Sequence, residues 1–230
     1  MQAQSLWHLE NIDVTHLLCP TKLGDERLMA AHGKTIFKKG ETVYIPKDLS
    51  DRIFFITEGR VKISVKNDEG KEITKAILGR GEVFGELAMM GEERRHDFAT
   101  ALEDTQTCVV TLDELRGLMR DRSEINLFFM RIFGRRQLEM ERRLESLVFR
   151  DSRSRIVEFL VNLVKNKGQR VGVEWVVRKP VTHQEIANLT ATSRQTVTTS
   201  LNDLRYKKLI AFNRSRLLVR DLERLAEEVR

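Results

Sequence analysis

The sequence predicts an α+β chain with a β-sandwich or barrel first, then one long helix, then a winged helix–turn–helix. Three observations carry this. Between Lys34 and Leu112, short alternating apolar runs are punctuated by glycines at intervals of roughly 8 to 12 residues. Residues 123 to 149 form an amphipathic stretch without proline. The last 80 residues hold two short helical patterns, each opened by hydroxyl residues and separated by a brief turn.

The N-terminal MQAQSLWHLENIDVTHLL predicts a short amphipathic helix. It lacks a basic leader and carries Glu10 and Asp13, so it does not read as a secretory signal. No run approaches the length of a membrane span, and the two cysteines, Cys19 and Cys108, have neither disulfide nor metal spacing. No metal ligand set is expected. The expected compartment is the cytoplasm.

The runs TIFKKG, ETVYIP, RIFFITEG, VKISVKND, EITKAIL and TCVVTL read as strands, and NDEGKE as a hairpin turn in which Gly70 supplies positive φ. From Asp113 the period changes to that of a helix. LDELRGLMRD is a short amphipathic segment, followed by SEINLFFMRIFGRRQLEMERRLESLVF. At 1.5 Å per residue this stretch is about 39 Å long, more than packing on one small domain requires. Phe129, Phe133, Met140 and Leu147 fall on one stripe at coiled-coil steps, with Arg136 and Arg143 among them. This stripe is the expected homodimer seam.

DSRSRIVEFLVNLVKNKG predicts a helix ending at Gly168, VGVEWVV a strand, and LIAFNRSRLLV a hairpin. Between them, Thr182 and Glu185 form a capping-box pattern, and Thr192 with Gln195 repeats it. The two helices, 182 to 189 and about 193 to 206, would cross at Ala187 with Ile186, Leu189, Val197, Leu201 and Leu204 inside. Arg194, Gln195, Thr198 and Thr199 then lie on the outer N-terminal side of the second helix, the end that enters a major groove in such motifs. Small hydroxyl residues there allow close approach to phosphate. The planar fork of Arg194 suits guanine, and Gln195 suits adenine.

The charge distribution agrees. Residues 151 to 230 hold 16 Lys and Arg against 9 Asp and Glu, or +7, whereas the first 150 hold 24 against 25, or −1. Arg205, Lys207, Lys208, Arg214 and Arg216 flank the second helix and its hairpin as candidate backbone contacts.

The ordered series EGRVKISVKNDEGKEI, GEVFGELAMM, the long helix leading to LVFRDSRSRI, and THQEIANLTATSRQTVTTSL resembles the Crp/Fnr family of bacterial transcription regulators over nearly the full chain. The resemblance implies a cyclic-nucleotide-binding-like β-roll (a double-stranded jelly roll) over 1–122, a dimerisation helix over 123–150 and a winged helix–turn–helix over 151–230. It also implies a palindromic double-stranded DNA operator and contact with RNA polymerase. Arg194 falls where the family reads guanine, Gln195 replaces a common glutamate, and Thr199 stands where many members carry a second arginine. Gln184 and Ser193 match phosphate contacts, and Thr196 lies on the same turn.

For the effector, Gly85, Glu86 and Leu87 match the cassette whose carboxylate holds a ribose hydroxyl in cyclic-AMP binders. Read without gaps from Glu86, the phosphate-binding Arg-Ser pair becomes His96-Asp97, with Arg94 and Arg95 displaced beside it. The adenine-facing helix positions become Met140 and Glu141. Arg136 and Glu141 are similar to the 2-oxoglutarate-binding pair of cyanobacterial nitrogen regulators. The effector is thus a cyclic nucleotide, another anionic metabolite, or none, and tight activation by cyclic AMP is not expected.

The competing reading is a ligand-binding regulatory module of the same fold that does not act on DNA. The +7 terminal third, the capping boxes and the wing argue against it. No Ser-His-Asp, His-Glu-x-x-His, Walker or kinase pattern occurs, so an enzyme is not expected.

Overall fold

The strand Arg52–Glu58 (β5) organises the N-terminal half because its sequence, RIFFITE, is apolar on both faces. Ile53 and Phe55 face one layer, Phe54 and Ile56 the other, and all four are buried. The computed structural model describes residues 8–9, 12–13, 34–178, 181–213 and 215–229, in two compact units that divide after Arg135.

In the first unit, two four-stranded antiparallel sheets form the roll. One orders Lys34–Phe37 (β3), Thr105–Thr111 (β10), β5 and Val83–Phe84 (β8). The other orders Thr42–Tyr44 (β4), Phe98–Ala101 (β9), Arg60–Lys66 (β6) and Glu72–Gly79 (β7). The β6–β7 turn closes at Asn67–Gly70, where Gly70 has φ +77°, as expected from the sequence. Tyr44, Phe54, Ile56, Val61, Ile63, Leu78, Phe84 and Ala99 fill the interior. On the outer face of this sheet, Ile53 and Phe55 of β5 and Val110 of β10 pack against Leu112–Asp121 (α1) and the first turns of Ser123–Phe149 (α2) through Leu115, Ile125, Phe128, Phe129 and Ile132.

This second core corrects the expected dimer seam. Phe129 is buried edge-on against Phe55 and Phe128 within its own unit, and Phe133 is half-buried beside it. The apolar residues of α2 left exposed include Met130, Met140, Leu144 and Leu147. With Phe133 and Gln137 they run 130, 133, 137, 140, 144, 147, alternating steps of three and four as a coiled-coil seam does. The pattern of phenylalanines alone could not show which ring the roll would claim.

At the N-terminus, His8–Leu9 (β1) pairs antiparallel with Ile12–Asp13 (β2), so these residues are not helical as expected; the rest of that segment, including Cys19, lies outside the described residues. Cys108, on β10, is buried.

The second unit contains the remainder of α2, Ser152–Lys167 (α3), and a four-stranded sheet ordered Gln169–Val171 (β11), Glu174–Arg178 (β12), Arg216–Val219 (β14) and Ile210–Phe212 (β13). The single strand expected over VGVEWVV is a hairpin, because Gly172 at φ +62° reverses the chain. His183–Thr190 (α4) and Arg194–Tyr206 (α5) form the helix–turn–helix. A last helix, Leu222–Glu227 (α6), is capped by Asp221 and was not expected. Ile156, Leu160, Val164, Ile186, Ala187, Val197, Leu201, Leu204, Leu217 and Leu225 form the common core. Among the described residues no helix is long and apolar enough to cross a membrane.

Candidate nucleic-acid interface and effector site

The helix–turn–helix is set by its caps. Thr182 Oγ1 accepts from Glu185 N at 3.2 Å, while Thr182 N donates to Glu185 Oε2 at 2.6 Å, a complete capping box. The second cap sits one residue later than expected. Ser193, not Thr192, accepts from Thr196 N at 3.0 Å, and its hydroxyl lies 2.8 Å from that of Thr196. Two adjacent hydroxyls made the sequence ambiguous here. The turn is held by Ala191 in the left-handed region at φ 50° and by the Arg155 guanidinium. Arg155 Nε donates to Thr190 O at 2.9 Å, Nη2 to Ala191 O at 3.3 Å, and Nη1 to Arg150 O, at the end of α2, at 2.9 Å. Sequence inspection missed Arg155, which looked like one more surface cation.

With Val197, Leu201 and Leu204 locked into the core, α5 presents Arg194, Gln195 and Thr199 to solvent, and Ser193 with them. Gln184 is exposed and donates to Asn188 at 2.8 Å. Thr198 is less available than expected. Its hydroxyl donates to Arg194 O at 2.9 Å and lies 3.0 Å from His183 Nδ1. Burial, and then the Arg194 charge, hold His183 below its usual pKa. Beyond α5, Lys208 and Arg216 are exposed, and Arg205 lies 5.4 Å from the centre of the Phe212 ring. Arg214 lies outside the described residues. Lys207 is turned away, onto Glu228 at 2.9 Å.

The roll contains the second site. Gly85, at φ +80°, opens the 3-10 turn Glu86–Met90, and Glu86 is buried while Leu87 is exposed. A Cβ at Gly85 would lie 2.9 Å from Arg52 O and 2.9 Å from Arg95 Nη1. That second atom identifies the inward cation. Arg95 is only 5% exposed; Nη1 donates to Gly85 O at 2.9 Å, Nη2 donates to Arg52 O, and Nε is buried with no partner among the described residues. Its guanidinium lies 4.5 Å from the Tyr44 ring centre.

The ungapped expectation for this loop therefore needs correcting. His96 does not face the interior: it is exposed and meets Glu92 at 2.6 Å. Arg95 takes the inward place, and Arg94 stays on the surface with Lys47 O at 3.2 Å. Asp97 is buried, 2.9 Å from Lys75 Nζ. Burial, and the adjacent Asp97 carboxylate, hold the Tyr44 phenol well above its usual pKa. The roll thus brings Tyr44, Lys75, Glu86, Arg95 and Asp97 together. Arg136, Met140 and Glu141, also expected at an effector, belong to the second unit. Among the described residues no group of His, Cys, Asp and Glu could hold a metal ion.

Comparison with known proteins matches residues 34–122 to the cyclic nucleotide-binding domain and residues 154–228 to the Crp-like helix-turn-helix domain. The chain is 31% identical to a CRP-like cAMP-activated global transcriptional regulator of Mycobacterium tuberculosis, over 84% of this chain and 87% of that one. It is 30% identical to a global nitrogen regulator of Nostoc, over 80% and 83%. A solved structure of a CooA mutant from Carboxydothermus hydrogenoformans superposes with a TM-score of 0.80 and 25% identity, covering 98% of this chain and 99% of that one.

Proposed function

Since the chain belongs to the Crp/Fnr family of transcription regulators, we propose that it acts as a cytoplasmic homodimer that reads a palindromic DNA operator and contacts RNA polymerase. In this reading residues 1–122 are the effector domain, 123–150 the dimerisation helix and 151–230 the DNA-binding domain. One observation carries it: Arg194 and Gln195 stand exposed on the first turn of a helix whose opposite side is anchored in the core. A guanidinium so placed is available for bidentate pairing with guanine O6 and N7. Two such helices related by a dimer axis would read half-sites about one DNA turn, roughly 34 Å, apart. The seam of exposed Met130, Gln137, Met140, Leu144 and Leu147, with half-buried Phe133 among them, supports the dimer.

The effector site departs from the cyclic-AMP pattern in a different way than the sequence suggested. Arg95 offers the cation, but the Asp97 carboxylate and its Lys75 partner share the interior with it. An incoming phosphate would meet a guanidinium already bonded to Gly85 O and Arg52 O and a carboxylate already paired with Lys75, so its binding would have to displace those contacts. Cyclic AMP is therefore a weak ligand in this reading, and the effector another anion or none.

Selection of binding sites from a random duplex pool, with and without cyclic AMP, cyclic GMP and 2-oxoglutarate, tests both statements. Arg194→Ala is expected to cost about 1–3 kcal/mol on the selected site and to flatten preference at one guanine. Equal loss on selected and random DNA would reduce Arg194 to a phosphate contact. A micromolar cyclic-AMP constant coupled to tighter operator binding would refute the effector reading.

A further inference from the structure

His183 is the first residue of α4, next to the Thr182 cap, and is half-buried against α5 and the wing. Its hydrogen bonding fixes its tautomer. A threonine hydroxyl has one proton, and that of Thr198 is directed at Arg194 O at 2.9 Å. The contact of His183 Nδ1 with Thr198 Oγ1 at 3.0 Å therefore has the imidazole as donor. Nδ1 carries hydrogen, and Nε2 has no hydrogen-bond partner among the described residues. The ring is steadied edge-on by Phe212 of β13, 5.6 Å between centres.

The charges around it are lopsided. From α5 it feels the charge of Arg194, and Arg205 lies by the same Phe212 ring; Glu185, two residues on in its own helix, is bonded to Thr182 N. The wing brings the Phe212 ring. Neutral imidazole here is partly desolvated and lies near the Arg194 charge, both of which disfavour a second proton. A nucleic-acid backbone would reverse that balance, because phosphates at Arg194 and the α5 N-terminus add negative charge a few ångströms away.

We propose that His183 is a proton-linked DNA contact: neutral in the free protein, it takes a proton from solvent onto Nε2 as α5 docks, and the imidazolium donates to a phosphate. Thr198 keeps the same hydrogen bond in both states, since Nδ1–H is the donor throughout. The proposal rests on the DNA-binding reading above and adds to it a pH dependence and one more phosphate ligand. The sign follows from the linkage. DNA raises the imidazole's pKa, so binding tightens as pH falls through the interval between the free and bound values and levels off outside it. Each unit of that interval gives about tenfold in affinity per protomer, and roughly a hundredfold for a symmetric dimer.

The test is titration of the selected operator from about pH 8 to 5.5 at fixed salt, with wild type, His183→Gln and His183→Arg. Glutamine retains a donor for Thr198 but cannot become charged; arginine is always charged. We expect the wild type to tighten with falling pH, the glutamine variant to bind without that extra slope, and the arginine variant to bind tightly throughout. Calorimetry in buffers of different ionisation enthalpy should show proton uptake by the wild type alone among the three. The His183 ring resonances, followed by NMR without any substitution, should titrate at higher pH on the operator than off it. Equal slopes for wild type and His183→Gln, or an unchanged titration of His183 on DNA, would overturn the proposal. A wild type that selects no operator at any pH would instead overturn the regulator reading beneath it.

Discussion

Replacing Arg153 by alanine is expected to destabilise the C-terminal unit by about 2 kcal/mol. Arg153 joins three helices: Nη2 donates to Asp203 Oδ2 of α5 at 2.8 Å and to Glu228 Oε2 just past α6, while Nη1 donates to Glu228 O at 3.2 Å. Charge-assisted bonds at such half-exposed positions contribute about 0.5–1 kcal/mol each after screening, and the substitution removes all three. Lys207 remains on Glu228 at 2.9 and 3.0 Å, so no carboxylate is stranded and the loss stays below that of a broken buried pair. Trp175, packed against the same core, reports unfolding in urea by its fluorescence, in a Trp7→Phe background. Hydrogen bonds from Lys207 and Arg153 hold the Glu228 carboxyl below its ordinary 4.5 against the opposing effect of burial. A depressed acid contributes its full stabilisation above the unfolded pKa and loses it as pH falls through the folded value. The gap between wild type and variant should hold from about pH 8 to about pH 5 and shrink below about pH 4. A gap under about 0.5 kcal/mol at neutral pH, or one undiminished at pH 3, would refute the reasoning.

If the proposed dimer forms through α2, Met140→Glu with Leu144→Glu should give monomers in sedimentation and abolish tight operator binding, whereas Phe129→Glu should instead unfold the roll. Gly85→Ala should destabilise the roll by roughly 2–3 kcal/mol, combining positive φ with displacement of Arg95, as judged by denaturation followed by circular dichroism. Lys208→Ala should weaken selected and random duplexes alike and reduce the slope of log affinity against log salt by about one for each phosphate no longer neutralised.

The sequence showed its long-period features and hid its one-residue choices. Helix α2 was legible because its apolar residues recur at helical spacing over 27 residues, and Thr182 with Glu185 because the capping box is local chemistry. The face of α2 that stays exposed was not legible, since Phe129 and Phe133 look alike until β5 supplies Phe55 as a partner for the first. Arg95 was missed as the inward residue because the loop after Gly91 can gain or lose a residue without disturbing any periodic pattern. Gly172 sits in an alternating run that reads as one strand, and only its positive φ turns the run into a hairpin. At six residues, α6 was too short for periodicity to reveal. Asp221 before LERLAE was the available signal.

Charge counting misleads in the same manner, and the structure says by how much. The +7 of residues 151 to 230 is not a +7 surface. Arg155 spends its donors on the carbonyls of Arg150, Thr190 and Ala191, joining the end of α2 to the helix–turn–helix turn. Arg153 and Lys207 are neutralised by Asp203 and Glu228. Arg95 does the same work in the roll, where two separate nitrogens of its planar fork reach two backbone carbonyls, a spread that the single nitrogen of a lysine lacks. Beside α5 and the wing, the cations that remain exposed include Arg194 at the N-terminal end of α5, next to the Ser193 cap, Arg205 and Lys208 at its other end, and Arg216 on the wing. A cation such as Arg194 beside the amides of a helix N-terminus attracts a phosphate more strongly than the same charge elsewhere on the surface, because the field falls away within a Debye length of about 8–10 Å. Local placement, rather than the total, makes this face suited to DNA.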